Sequence, residues 1–438
     1  MGPETDRATP VGIATTSLTP SDMTRISGLR TMKPYARFWR FYERIAAPPP
    51  GGIVIARDML DGGLFTVDVC IVTNCAFMGG NASTTVTELL ALMDAGQSVL
   101  IVNCPVKRSP WKRRWMAERF LPYQKHIVAV DDVDSIRCET LIVRGPRMAL
   151  KPVFGRLAKK IQTKRALYIV NNSAWSEDGK AVFDWPGLHR RVVAIGFPNS
   201  QIYPISPVIR EEGKRAIAAA DIPDRTAPRD WPPAFTVDDF HFAPRAQLTS
   251  PIVVGRHGRD HAGKWLEDAA EIRAAYPHRQ DIVVKIMGGA ATAAERLGTL
   301  PSNWVVLPFG VAGVEGYLSE LDIFINFPAR ARDEAFGRTI IEAVLSGLPA
   351  ILPPFFEATF GDLALYCEPQ EVEGVIDRIA ADDEGRLHYI NDCRREAAER
   401  FGTHTLLKRL RENDTALPYS PRLDERSRRF RENVMPSS

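Results

Sequence analysis

Two carboxylates, Glu334 and Glu342, have seven residues between them inside residues 322–362, which read DIFINFPARARDEAFGRTIIEAVLSGLPAILPPFFEATFGD. Such a spacing arises often by chance, so its meaning comes from the neighbourhood. The apolar run 322–327 reads as a buried strand, and Phe336-Gly337 falls where a helix over 336–346 begins. Ala343 packs that helix inward, while Gly347 and Pro349 end it and open a strand over 349–353. A helix entered through Ala335, Phe336 and Gly337 presents unpaired N–H groups and a positive dipole end to an anion. At a rise of about 1.5 Å per residue, the two carboxylates lie at most roughly 12 Å apart along it. The plainer alternative is a solvated loop acid and an exposed helix acid.

A second cluster follows the strand expected over 251–255 and reads Gly255-Arg256-His257-Gly258-Arg259-Asp260-His261-Ala262-Gly263-Lys264-Trp265. His257 and His261 lie four apart, but in a glycine-containing loop without a third ligand, so no metal site is expected. Gly79-Gly80 follows the strand expected over 66–73, as either a tight turn or a close backbone approach.

These stretches resemble the nucleotide-sugar site of retaining glycosyltransferases with the GT-B fold, the large group known as family four, or glycosyl transferases group 1. The resemblance implies that Glu334 touches hydroxyls of the donor sugar and that Glu342 binds the ribose of the nucleotide. It implies that Arg256 and Lys264 neutralise the two phosphates of the leaving group, making Glu334, Arg256 and Lys264 the catalytic set. Gly255, Ala335, Phe336 and Gly337 would join Glu342 in holding the donor, with Phe309 and Gly310 beside the nucleobase. Gly79 and Gly80 would approach donor and acceptor from the other domain. The implied co-substrate is a nucleoside diphosphate sugar, with no cofactor and no metal. Many members place a histidine near the reacting carbon, where this chain has Val143-Arg144-Gly145-Pro146-Arg147, and another before the first glutamate, where it has Arg330. A nucleotide-sugar-binding protein without turnover and a nucleotide-sugar epimerase of the same fold therefore stay open.

The elements that must position these residues alternate in type. Strand-like runs at 66–73, 98–103, 127–130, 140–143, 166–170 and 192–195 are separated by helical segments, among them 83–95, and Ser206-Pro207 starts a helix through Ala220. After a proline-rich stretch the alternation restarts at 251–255, 281–287, 304–307, 322–327 and 349–353, followed by a helical run over 384–411. The expected fold class is α/β: two Rossmann-like, doubly wound domains facing a cleft. The expected domains are a tail with a basic aromatic helix (1–52), an acceptor domain (53–220), a linker (221–249), a nucleotide-sugar domain (250–413) and a charged tail (414–438).

With 438 residues, 45% apolar and 25% charged, the chain has the composition of a globular protein and excludes a mostly disordered or fibrous one. It has no apolar run of about 18 residues, no secretory signal and no Cys-x-x-Cys pair, which together suit a reducing cytoplasm. The net charge of +3 hides an asymmetry, because residues 33–170 hold 21 Lys and Arg against 11 Asp and Glu. That excess of positive charge suits an anionic partner. The segment from Trp111-Lys112-Arg113-Arg114-Trp115 to Phe120 reads as an amphipathic helix, lying either on an anionic membrane surface or on the sheet. No nucleic-acid motif accompanies the charge, so a carbohydrate or lipid-linked acceptor of the cell envelope is the expected partner.

Overall fold

The computed structural model describes residues 51–53, 63–76, 79–105, 114–176, 179–220, 222–308, 313–330, 334–411 and 423–436. The expected basic helix before residue 50, residues 111–113, Phe309 and Gly310 lie outside them. The first domain runs β1 (Gly51–Ile53), β2 (Leu64–Thr73), α1 (Gly80–Asp94), β3 (Val99–Asn103), β4 (Trp115–Ala117), β5 (Ile127–Ala129), β6 (Ser135–Arg144), β7 (Ile161–Val170), α2 (Trp185–Ile195), β8 (Ser200–Pro204) and α3 (Pro207–Ala218). The second runs β9 (Ile252–His257), α4 (Ala269–Ala275), β10 (Ile282–Met287), β11 (Trp304–Leu307), β12 (Ile323–Ile325), α5 (Arg338–Leu345), β13 (Ala350–Leu352), β14 (Leu365–Tyr366), α6 (Val372–Ala381), α7 (Asp383–Phe401), α8 (Thr403–Arg411) and α9 (Glu425–Val434).

Apart from the antiparallel pair β1–β4, the described strands form two six-stranded parallel sheets, ordered β5-β3-β2-β6-β7-β8 and β11-β10-β9-β12-β13-β14. Parallel strands are covered on both faces, so their inner halves are unbroken apolar runs; Val99–Asn103 is buried throughout, as is the Cys70-Ile71-Val72 end of β2. In each sheet the first strand lies in the middle and the fourth pairs with its other side. Connections therefore leave in opposite directions, and a crevice opens beyond the carboxyl ends of β2 and β6 in one domain and of β9 and β12 in the other. This is the doubly wound α/β architecture expected from the alternation.

Three local expectations are corrected. Residues 192–195 belong to α2, not to a strand: Asp184 caps the helix by accepting from Gly187 N, and Gly196 ends it in the left-handed region. Leu188 and Val192 are buried one turn apart, so the apolar run was the C-terminal part of a helical stripe, and the strand is β8. The expected helix through residue 120 is absent from its described part, because Trp115–Ala117 pairs with β1 and Glu118–His126 is 3₁₀ in character. Met116, Ala117 and Phe120 are buried there, so this apolar surface packs on the protein. Beyond residue 414, α9 is a capped helix and not a tail, with Leu423, Phe430 and Val434 in the core and Phe430 against Tyr389 at 5.4 Å.

The helical run over 384–411 breaks at Gly402, and α8 returns to the first domain. Leu406 and Leu410 join Leu89 and Leu92 of α1 in one apolar cluster. Arg409, wholly buried, lies over the Trp231 ring at 4.8 Å and donates to Pro232 O at 2.8 Å, while its charge faces the buried Glu88–Arg144 pair. Burial pushes its guanidinium down to about 10. Helix α8 thus ties the two domains together through apolar contact and a shared buried charge network. Leu406→Ala is expected to lower the unfolding free energy by about 2–5 kcal/mol, read from the urea midpoint.

Candidate active site

Gly337 sets the local geometry. It caps α5 with φ +79°, and a Cβ there would stand 2.7 Å from Ile340 Cδ1 and 3.3 Å from Phe356. From that turn α5 buries Ile340, Ile341, Val344 and Leu345. Its polar positions Arg338 and Glu342, four apart and hence one above the other, meet the carboxyl end of β9. Arg338 Nε donates to Glu342 Oε1 at 2.8 Å, and His257 Nε2 lies 3.4 Å from Glu342 Oε2. The Arg338 guanidinium also sits over the Phe235 ring at 4.1 Å, and its Nη1 donates to Thr84 Oγ1 of α1 at 3.3 Å. One side chain therefore joins the carboxylate, the linker and the opposite domain.

Burial raises the Glu342 carboxyl above its ordinary range, against the pull of Arg338 and the charge of Arg119. Burial, with Arg256 and Arg338 nearby, pushes the His257 imidazole down to about 3. His257 is therefore neutral at neutral pH, and among the described residues its buried Nε2 has no hydrogen-bond partner.

The other carboxylate, Glu334, is ion-paired with Lys264, a contact between residues 70 positions apart. Gly79 caps α1 with φ +127°, and a Cβ on it would stand 3.6 Å from Arg259 Nη2; one on Gly80 would stand 3.8 Å from Arg338 Cδ. The glycine turn of the first domain thus abuts two arginines of the second, with Glu342 behind one of them.

Other site candidates sit differently. The Arg256 side chain is buried, lies over the Trp265 ring at 4.4 Å and donates to the Lys264 carbonyl, which holds the loop that carries Lys264. Gly255 is needed inside the sheet, since a Cβ would meet Tyr317 Oη at 2.6 Å and Leu321 Cδ2 at 2.8 Å. Tyr317 Oη in turn lies 2.7 Å from Arg256 O and 2.6 Å from Lys285 O. Phe336 packs its ring between Phe360 and Phe401, and Ala335 lies against the same core, so only their backbone is left to face a ligand. Arg330 pairs with Glu271 at 3.0 Å and Glu368 at 2.7 Å. Arg144, at the strand end where a histidine was sought, forms a buried ion pair with Glu88.

Sequence reasoning passed over Arg338, Arg259, Arg119 and the role of His257 beside Glu342. Arg338 left a signal, being the residue one helical turn before Glu342. No sequence signal marked the other three, because their approach depends on loop and domain placement. No group of three or more His, Cys, Asp and Glu side chains able to hold a metal occurs among the described residues. No described helix is long and apolar enough to cross a membrane.

No protein-family model matches the sequence, and no curated protein matches it either. Solved structures do. Anabaena HepE, solved in complex with UDP and glucose, has a TM-score of 0.57 at 14% identity, over 80% of this chain and 100% of that one. An alpha-glucosyltransferase solved with UDP and a 13-mer DNA containing a HMU base has a TM-score of 0.55 at 11% identity, over 80% and 100%. A glycosyltransferase from Rickettsia africae has a TM-score of 0.52 at 13% identity, over 80% and 97%. The fold is GT-B. In this GT-B chain Glu334 is paired with Lys264 and Glu342 with Arg338.

His257 supplies a test of this geometry that needs no ligand. Its depressed value means that the unfolded chain binds a proton between about pH 6.5 and 3 that the folded chain does not, so stability falls as pH falls through that window. The expected slope from this group is on the order of 1 kcal/mol per pH unit. In urea titrations at stepped pH, His257→Gln should remove that part of the acid sensitivity.

Proposed function

We propose that this protein is a retaining glycosyltransferase that moves a sugar from a nucleoside diphosphate to a hydroxyl of an acceptor, without a metal. The observation that carries the reading is the convergence of Glu342 and the Lys264–Glu334 pair on the β9 and α5 side of a GT-B cleft, opposite the glycine turn at Gly79 and Gly80. A carboxylate at Glu342 accepts hydrogen bonds from the ribose diol, and one at Glu334 from hydroxyls of the donor sugar. Lys264 stabilises the diphosphate as it departs, an electrostatic task that a positive side chain performs in place of a metal cation. The anomeric carbon breaks its bond to the phosphate oxygen and forms one to the acceptor oxygen on the same face. The acceptor proton goes to the departing phosphate. UDP and UDP-glucose bound in HepE make a UDP-sugar the first donor to try. The acceptor is a carbohydrate or lipid-linked glycan of the cell envelope, reached from the cytoplasmic side.

A second reading, sugar-nucleotide binding without turnover, draws support from Arg144. The first-domain position that would face the reacting carbon is spent on a buried ion pair with Glu88.

Calorimetric titration with UDP, GDP and their common sugar conjugates tests both. Glu342→Ala should weaken nucleotide binding about tenfold or more, the loss of a charge-assisted hydrogen bond. Glu334→Ala should keep affinity within a few-fold and lower nucleotide release from the donor sugar by at least about tenfold. Binding without any release or transfer, in the presence of candidate glycan acceptors, would select the second reading; negligible effects of both substitutions would reject the site.

A further inference from the structure

Arginines crowd this cleft beyond what its acids require. Lys264 and Glu334 neutralise one another. Near Glu342, by contrast, guanidiniums come from both domains, with a third at the adjoining glycine turn. Arg338 is in contact with it, Arg119 of the first domain is close enough for its charge to act on both Glu342 and Arg338, and Arg259 lies against Gly79, next to the Gly80 that faces Arg338. Asp239 on the linker is a further carboxylate whose charge acts on Arg338. Arg119 and Arg259 are exposed, and among the described residues neither pairs with a carboxylate. Arginines converging in this way repel one another unless an anion is shared between them.

The backbone at the same place also favours an anion. Gly79 and Gly337 cap α1 and α5 without any side-chain hydrogen bond, and neither helix has an acid in its first turn. The buried His257 Nε2 lies 3.4 Å from Glu342 Oε2 without a hydrogen bond, so among the described residues the firm hydrogen bond to that carboxylate comes from Arg338. Arg256, which the family resemblance makes a phosphate ligand, is instead committed to the Lys264 carbonyl.

We propose that Arg338 is an exchangeable counter-ion that passes from Glu342 to the diphosphate of the donor, which it holds together with Arg259 and, from the opposite domain, Arg119. This rests on the glycosyl-transfer reading above and names the groups that take the donor's phosphates. Binding then swaps partners: the diphosphate takes the guanidiniums, and the freed Glu342 takes the ribose diol. Because Arg119 belongs to the first domain and Arg338 already reaches Thr84, the same anion draws the two domains together over the sugar.

The test is calorimetry on the full chain with inorganic pyrophosphate, UDP, GDP and uridine, for the wild type, Arg338→Met, Arg119→Gln and Arg259→Gln. Pyrophosphate and the bound nucleoside diphosphate should weaken about tenfold or more in Arg338→Met and several-fold in each of the other two. Uridine should bind Arg338→Met as well as or better than it binds the wild type, since Glu342 is released. Pyrophosphate and nucleoside diphosphate binding that is unchanged or tighter in Arg338→Met would overturn the exchange. If that variant fails to fold, unchanged binding in both exposed variants would overturn it equally. Nucleotide binding insensitive to every arginine would leave the glycosyl-transfer reading standing and remove this one. Arginine-dependent pyrophosphate binding with no nucleotide bound would do the reverse.

Discussion

A parallel sheet that begins in its middle has to leave a crevice where its connections part, and this molecule does so twice. The strand orders β5-β3-β2-β6-β7-β8 and β11-β10-β9-β12-β13-β14 put the crevices beyond β2 and β6 and beyond β9 and β12. Backbone N–H groups, glycine turns and polar strand ends collect there because the rest of each sheet is sealed by helices. The Gly79-Gly80 turn and the Gly337 turn are two of these features, and both use a positive φ that other residues rarely adopt. α8 then fastens the pair by packing Leu406 and Leu410 on α1.

Within that frame the site is organised by the cost of burying charge. Glu342 is almost enclosed, and burial alone would drive it toward the neutral form; Arg338, one turn earlier on the same helix, keeps a cation at hand. His257 accepts the opposite outcome and stays neutral, so it adds no charge beside the carboxylate. Arg256 meets its own burial by stacking on Trp265 and donating to the Lys264 carbonyl, which leaves Arg259 and Lys264 as the more exposed cations of that loop. Buried charges here are compensated one by one, and the arginines without acids stand at the domain interface.

Much of the second domain was legible in the chain. The apolar runs of β9 to β13, the glycine at the start of α5 and the carboxylates flanking that glycine are local features with local signatures; the pairing of Lys264 with Glu334 is a contact across 70 residues that no local signature announces. The first domain was harder. Val192, Val193 and Ile195 form a run that suits a strand as well as a helical stripe, and only the Asp184 cap and Gly196 stop distinguish the two. Trp115-Met116-Ala117 is helix-like in composition but became a strand because residues 51–53 lie beside it, a non-local pairing. The charged C-terminal stretch looked like a tail because its few apolar residues, Leu423, Phe430 and Val434, are widely spaced, and their burial depends on a groove made by other helices.

The sequence by itself determined that the chain alternates strands and helices in two series, that a glycine-led helix carries Glu342, and that Glu334 precedes it with a lysine available upstream. These follow from periodicity, capping and the steric freedom of glycine, all of which act over a few residues. Tertiary structure alone decided that Arg256 turns inward, that His257 stands beside Glu342 as a neutral group, that Arg144 is spent on Glu88, and that Arg119, Arg259 and Arg338 gather at one cleft. The reason is physical: a side chain's charge, exposure and partner depend on what folds against it from distant parts of the chain, and that distance is not written in local spacing.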